Sequence, residues 1–96
     1  MLHIIKSSPF SKHALVDCLA YVSDGDALLF IQDAVVTTAS EHKYARMLQD
    51  ITQQVEIYTL SEDLCARGLN CILGQRISYP EFVDLTLSHL QSQTWN

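Results

Sequence analysis

The sequence predicts an α/β fold: a single small domain over residues 1–96, with a mainly parallel sheet and helices on both faces. Three observations predict it. Apolar runs of strand length alternate four times with segments of helical period, and the connections between them are only a few residues long. The second run, ALLFI at 27–31, is apolar without interruption, as a strand covered on both faces is. Strands separated by helices call for parallel pairing with right-handed crossovers.

The elements follow in order. LHIIK at 2–6 is a short, partly β-branched strand, and SSPFS ends it, with Pro9 barring a helix at the residue before. Ser11 can cap a helix running to Val22, in which Leu15, Cys18, Leu19 and Val22 form one inward stripe. SDGD at 23–26 is a turn, and ALLFI makes the sheet's centre. AVVTTA offers a helical turn, followed by a polar-rich helix from Ser40 to Gln49 whose inward side is marked by Tyr44, Met47, Leu48 and Ile51.

VEIYTL at 55–60 alternates, with Val55, Ile57 and Thr59 on one side, so strand 3 lies nearer an edge than strand 2. SEDLCARGL reads as a two-turn helix with Ser61 as N-cap, Glu62 and Asp63 at the positive end of the dipole, Arg67 at the other end and Gly68 as the left-handed stop. A weak fourth strand is expected near Arg76 and Ile77. Ser78 and Glu81 then make a capping box with Pro80 in the first turn, and Tyr79, Phe82, Val83, Thr86, Leu87 and Leu90 form a helical stripe. QSQTWN is left as a tail ending in an isolated Trp95.

Bulk properties exclude several functions. A chain of 96 residues holds one core and buries only about two-thirds of the surface its unfolded chain exposes, which allows an apolar face for partners. Six basic against eleven acidic residues give a net charge of -5, which repels phosphate backbones, so no direct nucleic-acid binding is expected. No apolar run approaches the roughly 20 residues needed to span a bilayer, and a cytoplasmic location without membrane attachment is expected. Cys18, Cys65 and Cys71 are odd in number and lack CxxC spacing, which favours reduced thiols over disulfides or zinc.

The carboxyl ends of the strands, where parallel sheets place their chemistry, are Ser7-Ser8-Pro9, Gln32-Asp33 and Leu60-Ser61. With Ser61 as N-cap, Cys65 falls at N4 and is expected to pack on Leu60 as a hydrophobic staple. Its sequence neighbours Glu62 and Asp63 oppose a reactive thiolate, and Arg67 is the only counterweight. Cys18 lies on the first helix's apolar stripe, one turn or more after Lys12 and His13, and Cys71 sits in a loop.

His3, His13, His42 and His89 show no metal-ligand spacing, and no metal or cofactor is expected. His3 is expected to alternate outward from strand 1, Asp24 and Asp26 to be solvated turn residues, and Asp33 to cap the turn that starts at Ala34.

The segments LHIIKSSPF, DALLFIQDAV, LSEDLCARGL and ISYPEFVDLTLSHL, with the trailing Trp95, resemble in order and spacing the TusB/DsrH family over nearly the whole chain. The resemblance implies a DsrE/DsrF-like fold and a subunit joined to TusC-like and TusD-like chains in a heterohexamer. Such a complex relays persulfide sulfur from a cysteine desulfurase, through TusA, and onward through TusE, toward 2-thiolation of the tRNA wobble uridine. In the TusD-like subunit the carrier cysteine opens the helix that ends in an RG pair. The matching opening here is Leu60-Ser61-Glu62, without cysteine, so Cys65 does not inherit that role. DsrH-like proteins of sulfur oxidation carry a first-helix cysteine in a context like Ser8-Pro9-Phe10 and Leu15-Val16-Asp17-Cys18-Leu19, which makes Cys18 the candidate sulfur carrier.

The expectation is a noncatalytic subunit completing a sulfur-relay complex, with Tyr58, Phe82 or Trp95 contributing interface surface. Two alternatives stand beside it. One is a DsrH-type carrier using Cys18 in sulfur oxidation; the other is a stand-alone domain binding a small ligand at Ser8, Gln32 and Asp33.

Overall fold

Five segments pair as one parallel sheet: β1 (Leu2–Ile5), β2 (Ala27–Phe30), β3 (Glu56–Leu60), β4 (Gln75–Ile77) and β5 (Ser92–Trp95), in the order β4-β3-β2-β1-β5. The computed structural model describes residues 1–39, 43 and 45–96. Among the described residues five helices connect the strands: α1 (Ala14–Leu19), α2 (Val36–Ala39), α3 (Ala45–Ile51), α4 (Ser61–Ala66) and α5 (Tyr79–Ser88), with a 3-10 turn at Gln32–Val35 preceding α2. The ALLF run is the central strand and every one of its residues is buried, as an unbroken apolar run predicts.

The strand order explains where the helices lie. Connections from β1 to β4 step across the sheet in one direction, whereas β4 to β5 returns to the far side of β1. Right-handed crossovers then assign opposite faces to the two directions. Accordingly Leu15 and Cys18 of α1 and Leu48 of α3 pack on Ile5, Leu28, Phe30 and Ile57. Phe82 and Leu85 of α5 lie on the other face, against the cluster of Leu2, Ile4, Ala27, Leu29 and Ile77.

Several expectations change in detail. The tail is not an isolated tryptophan: Ser92–Trp95 pairs with β1 in register Leu2↔Ser92 to Ile5↔Trp95. Its Ser, Gln and Thr are exposed, so the strand carries no apolar signal and is held by its ladder to β1 and by Trp95. The first helix begins at Ala14 rather than Ser11, because the Ser11 amide and hydroxyl both donate to the Ser8 carbonyl and close a turn after Pro9. The helix expected from Ser40 begins, where described, at Ala45; Ser40, His42 and Tyr44 lie outside the described residues. Leu48 is its buried residue, and Met47 is exposed.

α4 ends in a Schellman motif. The Gly68 amide donates to Cys65 O and the Leu69 amide to Leu64 O, with Gly68 at φ +65°. α5 has its capping box: Ser78 Oγ accepts from the Glu81 amide while Glu81 Oε1 accepts from the Ser78 amide. Its long apolar stripe, however, points largely to solvent. Phe82 and Leu85 face the sheet, Tyr79, Val83 and Leu87 are exposed, and no residue of α5 is fully buried; the helix stops at Ser88, so Leu90, expected on its stripe, lies exposed beyond it.

Candidate functional site

The carboxyl ends of β2, β3 and β4 meet around α4. Gln32, at the end of β2, has φ +52°, unusual for a residue with a side chain. That conformation lets its backbone N–H donate to Asp63 Oδ2 at 2.6 Å. Asp33 does not cap the turn at Ala34, since Ile31 is the N-cap there and no side chain caps it. Its exposed carboxylate instead accepts from Arg67 Nη2 at 2.9 Å and from Nε at 3.3 Å, tying the 3-10 turn to α4. Ser8 bonds within its own turn, accepting from the Phe10 amide at Oγ. Of the three residues proposed to hold a small ligand, Ser8 is therefore engaged locally, and Gln32 and Asp33 are engaged by α4.

The local environment of Cys65 differs from the expected staple. Leu60, not Ser61, is the N-cap of α4, so Leu64 takes the N4 position and is fully buried. Cys65, the next residue, projects about 100° around the helix from Leu64 and is exposed. Ser61 Oγ, freed from capping, accepts from Arg76 Nε at 2.8 Å, and Arg76 Nη2 donates to Cys65 Sγ at 2.8 Å. Sequence reasoning weighed only Glu62, Asp63 and Arg67 around this sulfur and missed Arg76. The usable signal was topological: a parallel β4 beside β3 brings a residue of β4's carboxyl end to the start of α4, which follows β3 directly.

Cys18 is buried in the cluster under α1, with none of its surface exposed. Burial, together with the Asp26 carboxylate, pushes its thiol up to about 12. It is thus a neutral thiol at neutral pH, packed among apolar side chains. Cys71 is half-buried, and its Sγ donates to Leu73 O at 2.9 Å.

At the amino end of β1 a second polar cluster forms. His3 was expected to point outward; it is 1% exposed. Its Nε2 lies 2.9 Å from Asp26 Oδ2, and its Nδ1 accepts from Trp95 Nε1 at 3.2 Å, so the ring bonds as the Nε2–H tautomer. Asp26, expected to be solvated, also accepts from the Ser23 amide and from the Met1 α-amino group. Desolvation raises its carboxyl, but bonds from His3, the amino terminus and Ser23, with the amino-terminal charge, outweigh this and bring it to about 2. Trp95 also stacks at a tilt on Tyr21. Residues 3, 26 and 95 are far apart in sequence, and this cluster pins the last strand to the first.

Among the described residues, no group of three or more His, Cys, Asp or Glu side chains is placed to hold a metal ion. No described helix is long and apolar enough to cross a membrane.

Comparison with known proteins agrees with this arrangement. Protein TusB of Escherichia coli O81 (strain ED1a) is 34% identical over 98 residues, spanning 99% of this chain and all of that protein. Protein TusB of Shigella boydii serotype 18 is 34% identical over the same span. The crystal structure of the ychN protein from E. coli superposes with a TM-score of 0.74, covering 97% of each chain at 21% identity, and shows the same fold. The family described as DsrH like protein matches residues 7–92, and the chain belongs to that DsrH-like family.

Proposed function

We propose that the chain is a noncatalytic subunit of a sulfur-relay complex of the TusB type, acting with TusC-like and TusD-like chains in the pathway that thiolates the tRNA wobble uridine. The observation that carries this reading is the full-length match to proteins named TusB, set beside a helix α4 that opens on Leu60-Ser61-Glu62 without a cysteine. Burial of Cys18 supports it, because a sulfur carrier must be reached by the donor's persulfide, and Cys18 is packed and protonated. The net charge of -5 fits a subunit that does not itself grip tRNA. Co-expression with the two homologous chains from the same genome, followed by native mass spectrometry, tests it. A stoichiometric complex is expected, and a chain that stays alone would refute the reading.

A second reading is favoured by one contact. Cys65 is exposed, and the Arg76 guanidinium donates to its sulfur, so a donor can reach this thiol as it cannot reach Cys18. On this reading the chain takes up sulfur at Cys65 within the same complex. Persulfide mapping by mass spectrometry after loading from the donor separates the two: sulfane sulfur on Cys65, with relay abolished in Cys65→Ser, selects the second. An unmodified Cys65 and full relay in that variant select the first.

A further inference from the structure

Among the described residues α5 is the single helix assigned to its face of the sheet, and that leaves the face incompletely covered. Five strands about 4.8 Å apart span about 19 Å, whereas a helix with its side chains is about 10–12 Å across. Phe82 and Leu85 cover the β1–β2 side of the face. Beside them an open groove of about 380 Å³ runs over β3 and β4, lined by Tyr58, Gln75, Ile77, Glu81, Asp84 and Leu85 among others.

The outer surface of α5 is apolar where a solvated helix would be polar. Tyr79, Val83 and Leu87 fall on one helical stripe, with Leu87 79% exposed, and Leu90, two residues past the end of the helix, is fully exposed. The flank of α5 that faces the groove is acidic. Glu81 and Asp84 line it, and Tyr58, which also lines it, donates its hydroxyl to the Glu56 carboxylate. Glu81 is held ionised, its carboxyl lowered by the Ser78 backbone N–H and the Ser78 hydroxyl. No Lys or Arg occurs from Ile77 to Asn96. Two copies of this face would oppose acid to acid, so like charge argues against self-association.

We propose that the outer face of α5, together with Leu90 just past its end, is the chain's docking surface for a partner subunit that presents an apolar patch to Val83, Leu87 and Leu90 and a Lys or Arg side chain to the groove of Glu81 and Asp84. The proposal rests on the assembly reading above and names the surface that assembly uses. Apolar contact at the centre supplies affinity and the acidic groove supplies orientation and choice of partner.

The test uses the full-length chain co-expressed with the TusC-like and TusD-like chains, with affinities measured on the purified proteins. Leu87→Lys and Leu90→Lys are expected to fold as wild type, since both side chains are exposed, and to weaken binding by about 30-fold or more, as loss of a buried hot spot does. Asp84→Lys is expected to weaken it by about tenfold or more. Binding of all three variants within about twofold of wild type overturns the surface while leaving the assembly reading intact. Failure of the wild-type chain to bind either partner overturns both. A homodimer of the isolated chain that Leu87→Lys dissociates also overturns the proposal, because the face would then belong to a second copy.

Discussion

The thiol of Cys18 should react far more slowly in the folded chain than in the unfolded one, and the factor can be worked out. With its pKa at about 12, about 1 in 10,000 molecules carries the thiolate at pH 8, against about a quarter for a free thiol with pKa near 8.5. The ratio is about 2,500. Nucleophilicity rises with basicity, with a Brønsted slope of about 0.4–0.5, and over this difference it returns a factor of about 25–60. The net slowing is therefore about 50- to 100-fold from ionisation alone, and burial of the sulfur beneath α1 slows it further. Iodoacetamide labelling at pH 8, followed by peptide mass spectrometry with and without urea, measures the ratio. A native rate within threefold of the unfolded rate would refute the assignment of Cys18 to the core, and would return it to consideration as a sulfur carrier.

Asp26→Ala should cost about 1–3 kcal/mol by urea denaturation at pH 7, because it strands the buried His3 Nε2–H without its acceptor. Since the Asp26 carboxyl is lowered to about 2 in the fold, against about 3.9 in an unfolded chain, its contribution is complete above pH 4 and is lost as pH falls toward 2. Wild-type and Asp26→Ala stabilities should therefore converge across that window, as paired denaturation curves would register. Gly74→Ala should destabilise by at least about 2 kcal/mol: φ is +83°, and an added Cβ would stand 2.8 Å from the Ile57 carbonyl oxygen. Equal midpoints for the two proteins in urea would contradict that geometry.

Much of the fold was legible in the sequence because its signals are local. The unbroken ALLF run marks the central strand because both of its faces are covered. The Ser78-Pro80-Glu81 pattern fixes the start of α5 because cap and capped amide lie three residues apart, and Gly68 stops α4 by its own backbone freedom. β5 was illegible for the converse reason. Its Ser, Gln and Thr bury nothing, and it becomes a strand by pairing with Leu2–Ile5 at the other end of the chain.

For the site, the sequence by itself determined that the opening turn of α4 holds no cysteine and that Cys18 lies on a stripe facing the core. Tertiary structure alone decided that Arg76 touches Cys65, that His3 turns inward to Asp26 and Trp95, and that the apolar stripe of α5 faces outward. Periodicity reports that a helix has two unlike faces but not which of them meets the sheet. Strand order and crossover direction settle that, and they are properties of the whole chain.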